Sequence, residues 1–285
     1  MKTVFKFLGI SLIIAIVVAT VYALGIQFNW YGELEKPGTP IQSSIPKDIL
    51  EERKLQQTKV TDSKKQILFG DTHVHSTYST DAFLWSLPIF HGEGPHPISD
   101  ACDYARFCAN LDFWVTTDHA EASTPRKWKA IKKAVRQCNA ASDVKEPDMV
   151  TFLGFEWTQV GQQASEHYGH KNVVFLDTKE GNVPSRPIGA GGLATNGMRS
   201  TIGAQASDLL KPLAIFDFPN RQRYFNFDSF VKELGEIPFC EEGVSSALLP
   251  ENCYEFADTP EDLFRKLDEL NYYTYDDPII LNCLL

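Results

Sequence analysis

From residue 66 onward the chain alternates short apolar runs with helix-like segments, and no other feature constrains its fold as much. "QILFGDTHVH" (66–75), "DFWVTTDH" (112–119), "MVTFLGFEWT" (149–158) and "KNVVFLD" (171–177) read as strands. Between the first two lies "SDACDYARFCANL" (99–111), a helix starting at Ser99 with Ala101, Tyr104, Ala105 and Cys108 on one face. "STPRKWKAIKKAVRQCNA" (123–140) is a second helix, with Pro125 in its first turn. Residues 178–224, broken by Gly, Pro and Arg, read as loops around a short helix near 205–211. "TPEDLFRKLDELN" (259–271) then reads as a capped helix and "DPIILN" (277–282) as a further strand. Strand and helix in this order indicate a parallel α/β fold, either an open sheet or a barrel. The length of 285 residues, 43% hydrophobic, is enough for a sizeable core.

Ligand-type residues gather where these strands end. His73 and His75 are alternate residues of one strand, so they share a face, with Asp71 below them. Paired imidazoles are poor core material but good ligands for zinc, manganese or iron. Alone, the pair is equally compatible with two solvent-facing histidines on an edge strand. The second strand ends in Asp118 and His119, with Glu121 close behind, and the third ends around Glu156. His170 begins a strand instead. It joins the same end if 150–158 and 170–176 form a hairpin, because a returning strand starts where its partner stopped. Singly, Asp118–His119 reads as a helix cap and Glu156 as a salt-bridge partner. Their recurrence at the carboxyl ends of strands, where α/β folds place their sites, points to a multi-ligand metal site.

The ordered set "DTHVHSTYSTD", "TTDHAE", "GFEWT" and "YGHKNVVF" resembles the PHP superfamily, named for its polymerase and histidinol phosphatase members. More closely it resembles an exported bacterial domain-of-unknown-function family within it, over about residue 66 to the carboxyl end. The resemblance implies a distorted seven-stranded β/α barrel holding two or three divalent transition metals (Zn, Mn or Fe). It implies metal ligands at His73, His75, Asp81, His119, Glu156 and His170, with Glu156 bridging two metals and Glu156 and His170 serving catalysis. Asp71 and Asp118 fall to the layer behind the ligands, Asp71 orienting an imidazole. Such barrels take further ligands from a later histidine after a proline and from a late Asp-x-His. Here Asn282 and Cys283 stand at the first place, and no Asp-x-His follows His170. That departure leads us to expect an incomplete barrel, residues 67–285 being the N-terminal part of a carboxyl-terminally truncated chain with weak metal binding and little turnover. A short member with a reduced site is the alternative.

Ahead of this part, Lys2 and Lys6 precede "FLGISLIIAIVVATVYALGI", long enough to span a bilayer. Residues 1–26 are therefore expected as a membrane anchor with the domain outside the cytoplasm, or as a cleaved signal that leaves it secreted. Residues 27–66, with three prolines and no apolar period, read as a linker. Export makes disulfides expected: Cys240 to Cys253 across a turn-rich loop, and more weakly Cys138 to Cys102 or Cys108. A net charge of −10 without a basic run argues against nucleic acid. A small anionic, phosphorylated substrate is still compatible if a metal supplies the positive charge, with Arg186, Arg199, Arg221 or Arg223 as possible clamps. The expected function is that of a metal-dependent phosphoesterase. The alternatives are a membrane-tethered scaffold with a vestigial site, and an amide or lactone hydrolase of amidohydrolase type. The last would ordinarily add a metal-bridging lysine, and no strand end carries one.

Overall fold

The computed structural model describes residues 2–59, 67–93, 96–143, 145–270 and 280–282. Helix α1 (Lys2–Gln27) is the apolar N-terminal segment, and the stretch Phe5–Gln27 is long and apolar enough to cross a membrane. A signal sequence has the same character. α2 (Lys47–Lys59) follows, then β1 (Gly70–Val74), α3 (Thr80–Trp85) and α4 (Ile98–Asp103). β2 (Phe113–Thr116), α5 (Pro125–Ala140), β3 (Val150–Gln159) and β4 (Gly169–Phe175) complete the site-bearing part.

The main sheet runs β1-β2-β3-β4-β7, with β7 at Ile280–Asn282, and curls into a half-barrel. β1, β2 and β3 are parallel, while β4 returns antiparallel to β3 with Thr158 opposite His170 and Glu156 opposite Asn172. The expected hairpin is therefore present. Gly169, at φ +71°, opens β4 in the left-handed region that glycine enters without strain. Alternation along the strands divides the sheet's two faces. Trp114, Leu153, Phe155, Trp157 and Val173 join the main core with Trp128, Ile131 and Val135 of α5. Phe113, Val115, Phe152 and Val174 point the other way and line an apolar recess. Glu156 shares the parity of Phe152, so it projects on the face away from α5.

α5 forms where expected. Thr124 caps it by accepting from Lys127 N at 3.2 Å, Pro125 fills the first turn, and Trp128, Ile131, Val135 and Cys138 bury one stripe against β3. α4 differs from expectation. It starts at Ile98 and runs into a wider turn at Tyr104–Cys108, closed by Ala109 N to Tyr104 O. That turn breaks the helical phase, so Cys102, Ala105 and Arg106 are buried while Tyr104 and Cys108 are exposed.

The remaining helices are α6 (Leu193–Arg199), α7 (Thr201–Leu210), α8 (Leu213–Phe216), α9 (Arg221–Glu236) and α10 (Pro260–Glu269). Within 178–224, α7 supplies the helix expected near 205–211, while α6, α8 and the start of α9 are helical where loops were expected. α9 buries Tyr224, Phe227, Phe230, Val231 and Leu234 in a second apolar cluster with Phe83 of α3 and Ile26 of α1. A small parallel pair, β5 (Ile188–Ala190) with β6 (Glu255–Ala257), packs behind β3.

Residues 27–66 are not a free tether over their described part. Ile45 N donates to Asp148, Gln57 to Asp112, and Arg53 to Asn110 and to the Asp148 carbonyl, so α2 is strapped across the domain. The remainder of the "DPIILN" run and Cys283 lie outside the described residues.

Disulfides join Cys102 to Cys138 and Cys240 to Cys253, which fits a location outside the cytoplasm. The first ties α4 to α5 and closes the longer loop. In the chain-entropy account, replacing both its cysteines by serine costs about 4 kcal/mol, against about 3 for Cys240–Cys253. Denaturant unfolding of the two double variants should rank them in that order.

Candidate metal centre

Four of the seven histidines meet at the carboxyl ends of β1, β2 and β3. His73 and His75 stack at 4.8 Å between ring centroids, with their Nε2 atoms 2.9 Å apart. His119, which follows β2 and bridges to Glu156, meets His75 edge-on at 4.9 Å. His170 enters from β4, 5.9 Å from His119. Glu156 sits among them, fully buried. Its Oε2 lies 2.8 Å from His75 Nε2, 3.1 Å from His73 Nε2 and 3.7 Å from His119 Nδ1, while Oε1 contacts His170 Nδ1. Asp81, at the head of α3, lies 3.2 Å from His75 Nδ1 and 3.6 Å from His119 Nε2.

All six candidate ligands therefore converge. They form three overlapping groups able to hold a metal ion: His73, His75 and Glu156; His75, Asp81 and His119; and His119, Glu156 and His170. The donor chemistry suits a borderline transition ion. A second observation supports the fit. Glu156 Oε2 is buried with no hydrogen-bond donor aligned on it, although three imidazole nitrogens surround it. A carboxylate oxygen left in this way, facing nitrogens that can all offer lone pairs, suits a shared cation.

The electrostatics couple these six groups tightly. Burial alone would lift the Glu156 carboxyl, but the His75 contact and the charges of His119, His75 and His170 outweigh it and hold the pKa at about 2. Burial would lower the histidines, yet Asp81 and Glu156 raise His75 to about 9, and Asp81 and Glu121 raise His119 to about 10. The same contacts with His119 and His75 draw Asp81 well below the usual carboxylate range despite its partial burial. Both histidines are thus protonated at pH 7.5 in metal-free protein and must lose protons to become ligands. We expect metal binding to release about two protons there, measured by titration calorimetry in buffers of different ionisation enthalpy. In metal-free protein these raised values add stability that is complete below pH 6.5 and lost as pH rises through 9 to 10. Melting temperature against pH, with and without metal, should show that loss in the metal-free protein alone.

Of the two residues expected behind the ligands, Asp71 takes a different role and Asp118 braces the loop after His75. Asp71 does not orient an imidazole; its carboxylate accepts from the backbone N–H of His73 at 2.9 Å. Asn172 stands in that place, donating to Thr72 O at 2.9 Å and lying 3.4 Å from His73 Nδ1. Asp118 accepts from Ser76 N and Ser76 Oγ, pinning the loop after His75, and burial holds its carboxyl above the ordinary range. From that loop Ser79 Oγ reaches His75 Nδ1 at 3.1 Å. Thr158, two residues after Glu156, joins the site: its hydroxyl lies 2.9 Å from His119 Nδ1, 3.2 Å from His170 Nδ1 and 3.0 Å from Glu156 Oε1. Glu121 Oε1 accepts from Thr158 N and Ala190 N, which ties β3 to β5 behind the site.

Two of the candidate clamps are already committed. Arg186 pairs with Glu255 in the interior, and Arg199 donates to the carbonyls of Glu121 and Ser123 beneath the Tyr254 ring. Arg221 lies over Phe218, far along the chain from the strand ends.

A family model described as "Protein of unknown function (DUF3604)" matches residues 62–125. The matched stretch contains His73, His75, Asp81 and His119, so the chain is similar to that family over its first three ligand-bearing segments. No curated protein and no solved structure matches the chain.

Proposed function

We propose that this chain is an exported, membrane-tethered, metal-dependent hydrolase acting on phosphoesters, and that its curled sheet is part of a PHP-type β/α barrel. The observation that carries the reading is the division of Glu156: Oε2 faces His73 and His75, whereas Oε1 faces His170. A buried carboxylate shared between two ligand groups suits a pair of divalent ions, Zn, Mn or Fe. When bound, such ions supply Lewis acidity toward a phosphoryl oxygen and lower the pKa of water toward neutrality.

The protein's own groups prepare that chemistry. Glu156 is ionised across the working pH range. Asp81 and Ser79 engage Nδ1 of His75, which turns its Nε2 toward Glu156. Thr158 donates to Glu156 Oε1 and thereby fixes the carboxylate's rotation against β4. Among the described residues no Lys or Arg bonds to any of the six candidates, so ions held there would add the positive charge that suits a phosphorylated substrate.

The test is a panel of p-nitrophenyl phosphate and bis-p-nitrophenyl phosphate with full-length protein, before chelation, after it, and after re-addition of Zn, Mn or Fe. Low turnover that chelation abolishes and one of these ions restores is the expected result. No turnover with any ion, from protein that also binds none, leaves a tethered scaffold in place of an enzyme.

Thr158→Val gives a separate check on the positioning of Glu156. Removing the hydroxyl should weaken metal affinity by about 10- to 100-fold while leaving the fold intact. Thr158→Ser, which keeps the hydroxyl, should restore it.

A further inference from the structure

We propose that the exposed apolar rim around the end of α1 lies in the headgroup–acyl boundary of the same bilayer that α1 enters, seating the domain on the membrane. The inference rests on α1 being membrane-embedded, and is independent of the hydrolase reading. At a rise of roughly 1.5 Å per residue, Phe5–Gln27 spans about 34 Å, slightly more than a hydrocarbon core of about 30 Å. The end of α1 therefore emerges among the headgroups.

What stands at that level is apolar. Phe28 and Trp30 follow directly, stacked at 6.2 Å and both exposed, as aromatic residues at a membrane–water boundary commonly are. Asn29 donates to Phe225 O and Ser229 Oγ of α9, and Ile26 enters the cluster that holds Ala214 of α8 and Phe225 of α9. Lys211, between α7 and α8, donates to Gln27 O at 3.1 Å and pairs with Asp208. The turn from α7 to α8 is thus fastened to the last residue of α1. Leaving that fastening point, Leu209, Ile215, Phe216 and Phe218 all face solvent, and Phe216 is 87% exposed. Arg221 lies 4.0 Å over the Phe218 ring, where a guanidinium can reach lipid phosphate while its stem covers apolar surface.

Continuity with the span selects a bilayer as the occupant. The same apolar cluster contains Phe83 of α3, whose first turn carries Asp81. Seating this rim therefore holds the candidate metal centre at a fixed height above the membrane.

The experiment places photoreactive p-benzoylphenylalanine singly at positions 17, 216 and 248 of the full chain, reconstituted in phosphatidylethanolamine–phosphatidylglycerol vesicles. Position 17 lies mid-span, and Leu248, 79% exposed on the loop closed by Cys240–Cys253, is the control. Lipid adducts at 17 and 216, each several-fold above 248, are expected. Adducts at 17 with none at 216 beyond the control overturn the seating. So does a cross-link from 216 to a second copy of the chain in place of lipid. Absence of adducts at 17 as well removes the embedded α1 and the seating with it.

Discussion

Glu156→Gln is expected to lower bound metal well below the wild-type level, and to abolish what phosphoesterase turnover the chain has, while the fold persists. The amide keeps the volume of the carboxylate and can still accept at one atom. It cannot, however, offer an anionic oxygen to both ligand groups. The buried position raises the effect: Glu156 is the negative charge that His73, His75, His119 and His170 surround, and no solvent replaces it. Elemental analysis of the purified variant and wild type, with circular dichroism to confirm folding, measures the difference. Equal metal content in the two proteins would remove Glu156 from the role assigned to it.

The second large effect is on stability. Arg106 and Asp148 form an ion pair at 3.2 Å with both side chains buried. Arg106 also donates to Cys138 O at the end of α5, and Asp148 accepts from Ile45 N and from Ser142 Oγ. One pair thereby joins the turn after α4, the end of α5, the entry to β3 and the strap of residues before α2. Arg106→Leu leaves a buried carboxylate with its cation gone, at a cost of about 3–5 kcal/mol. Replacing both, Arg106→Leu with Asp148→Asn, should recover part of that loss, because the stranded charge is gone. Urea denaturation of the single and double variants gives the comparison. A single variant within about 1 kcal/mol of wild type would mean that the node carries little.

What the sequence made legible follows from period and position. The four strands bearing the site were visible because each is a short apolar run, and the β3–β4 hairpin followed from asking how His170 could reach Glu156. Candidate ligands stood out because histidines and carboxylates ended those runs. Thr158, Ser79 and Asn172 did not stand out, since hydroxyls and amides occur throughout any chain. Only the register that sets Thr158 opposite His170, and Asn172 opposite Glu156, gives those two a role, and only the loop after β1 brings Ser79 to His75 Nδ1. Asp71 misled for a related reason. Its place two residues before His73 suits an imidazole partner, but the register shift between Asp71 and Val74 turns its carboxylate to the backbone.

Helix α9 was legible in principle, since Tyr224, Phe227, Phe230, Val231 and Leu234 keep helical spacing, but the polar residues around it blurred the stripe. The strap before α2 was not legible. It is held by single polar contacts to Asp148, Asp112 and Asn110, and such contacts leave no period in the sequence.

The proposed function requires that Glu156 serve two metal ions. Anomalous diffraction from crystals of the full chain grown with Zn or Mn, collected on both sides of the metal absorption edge, tests it most directly. Two anomalous peaks are predicted, one beside Glu156 Oε2 with His73 and His75, the other beside Oε1 with His170. A single peak away from Glu156, or none from crystals soaked in excess metal, would contradict it.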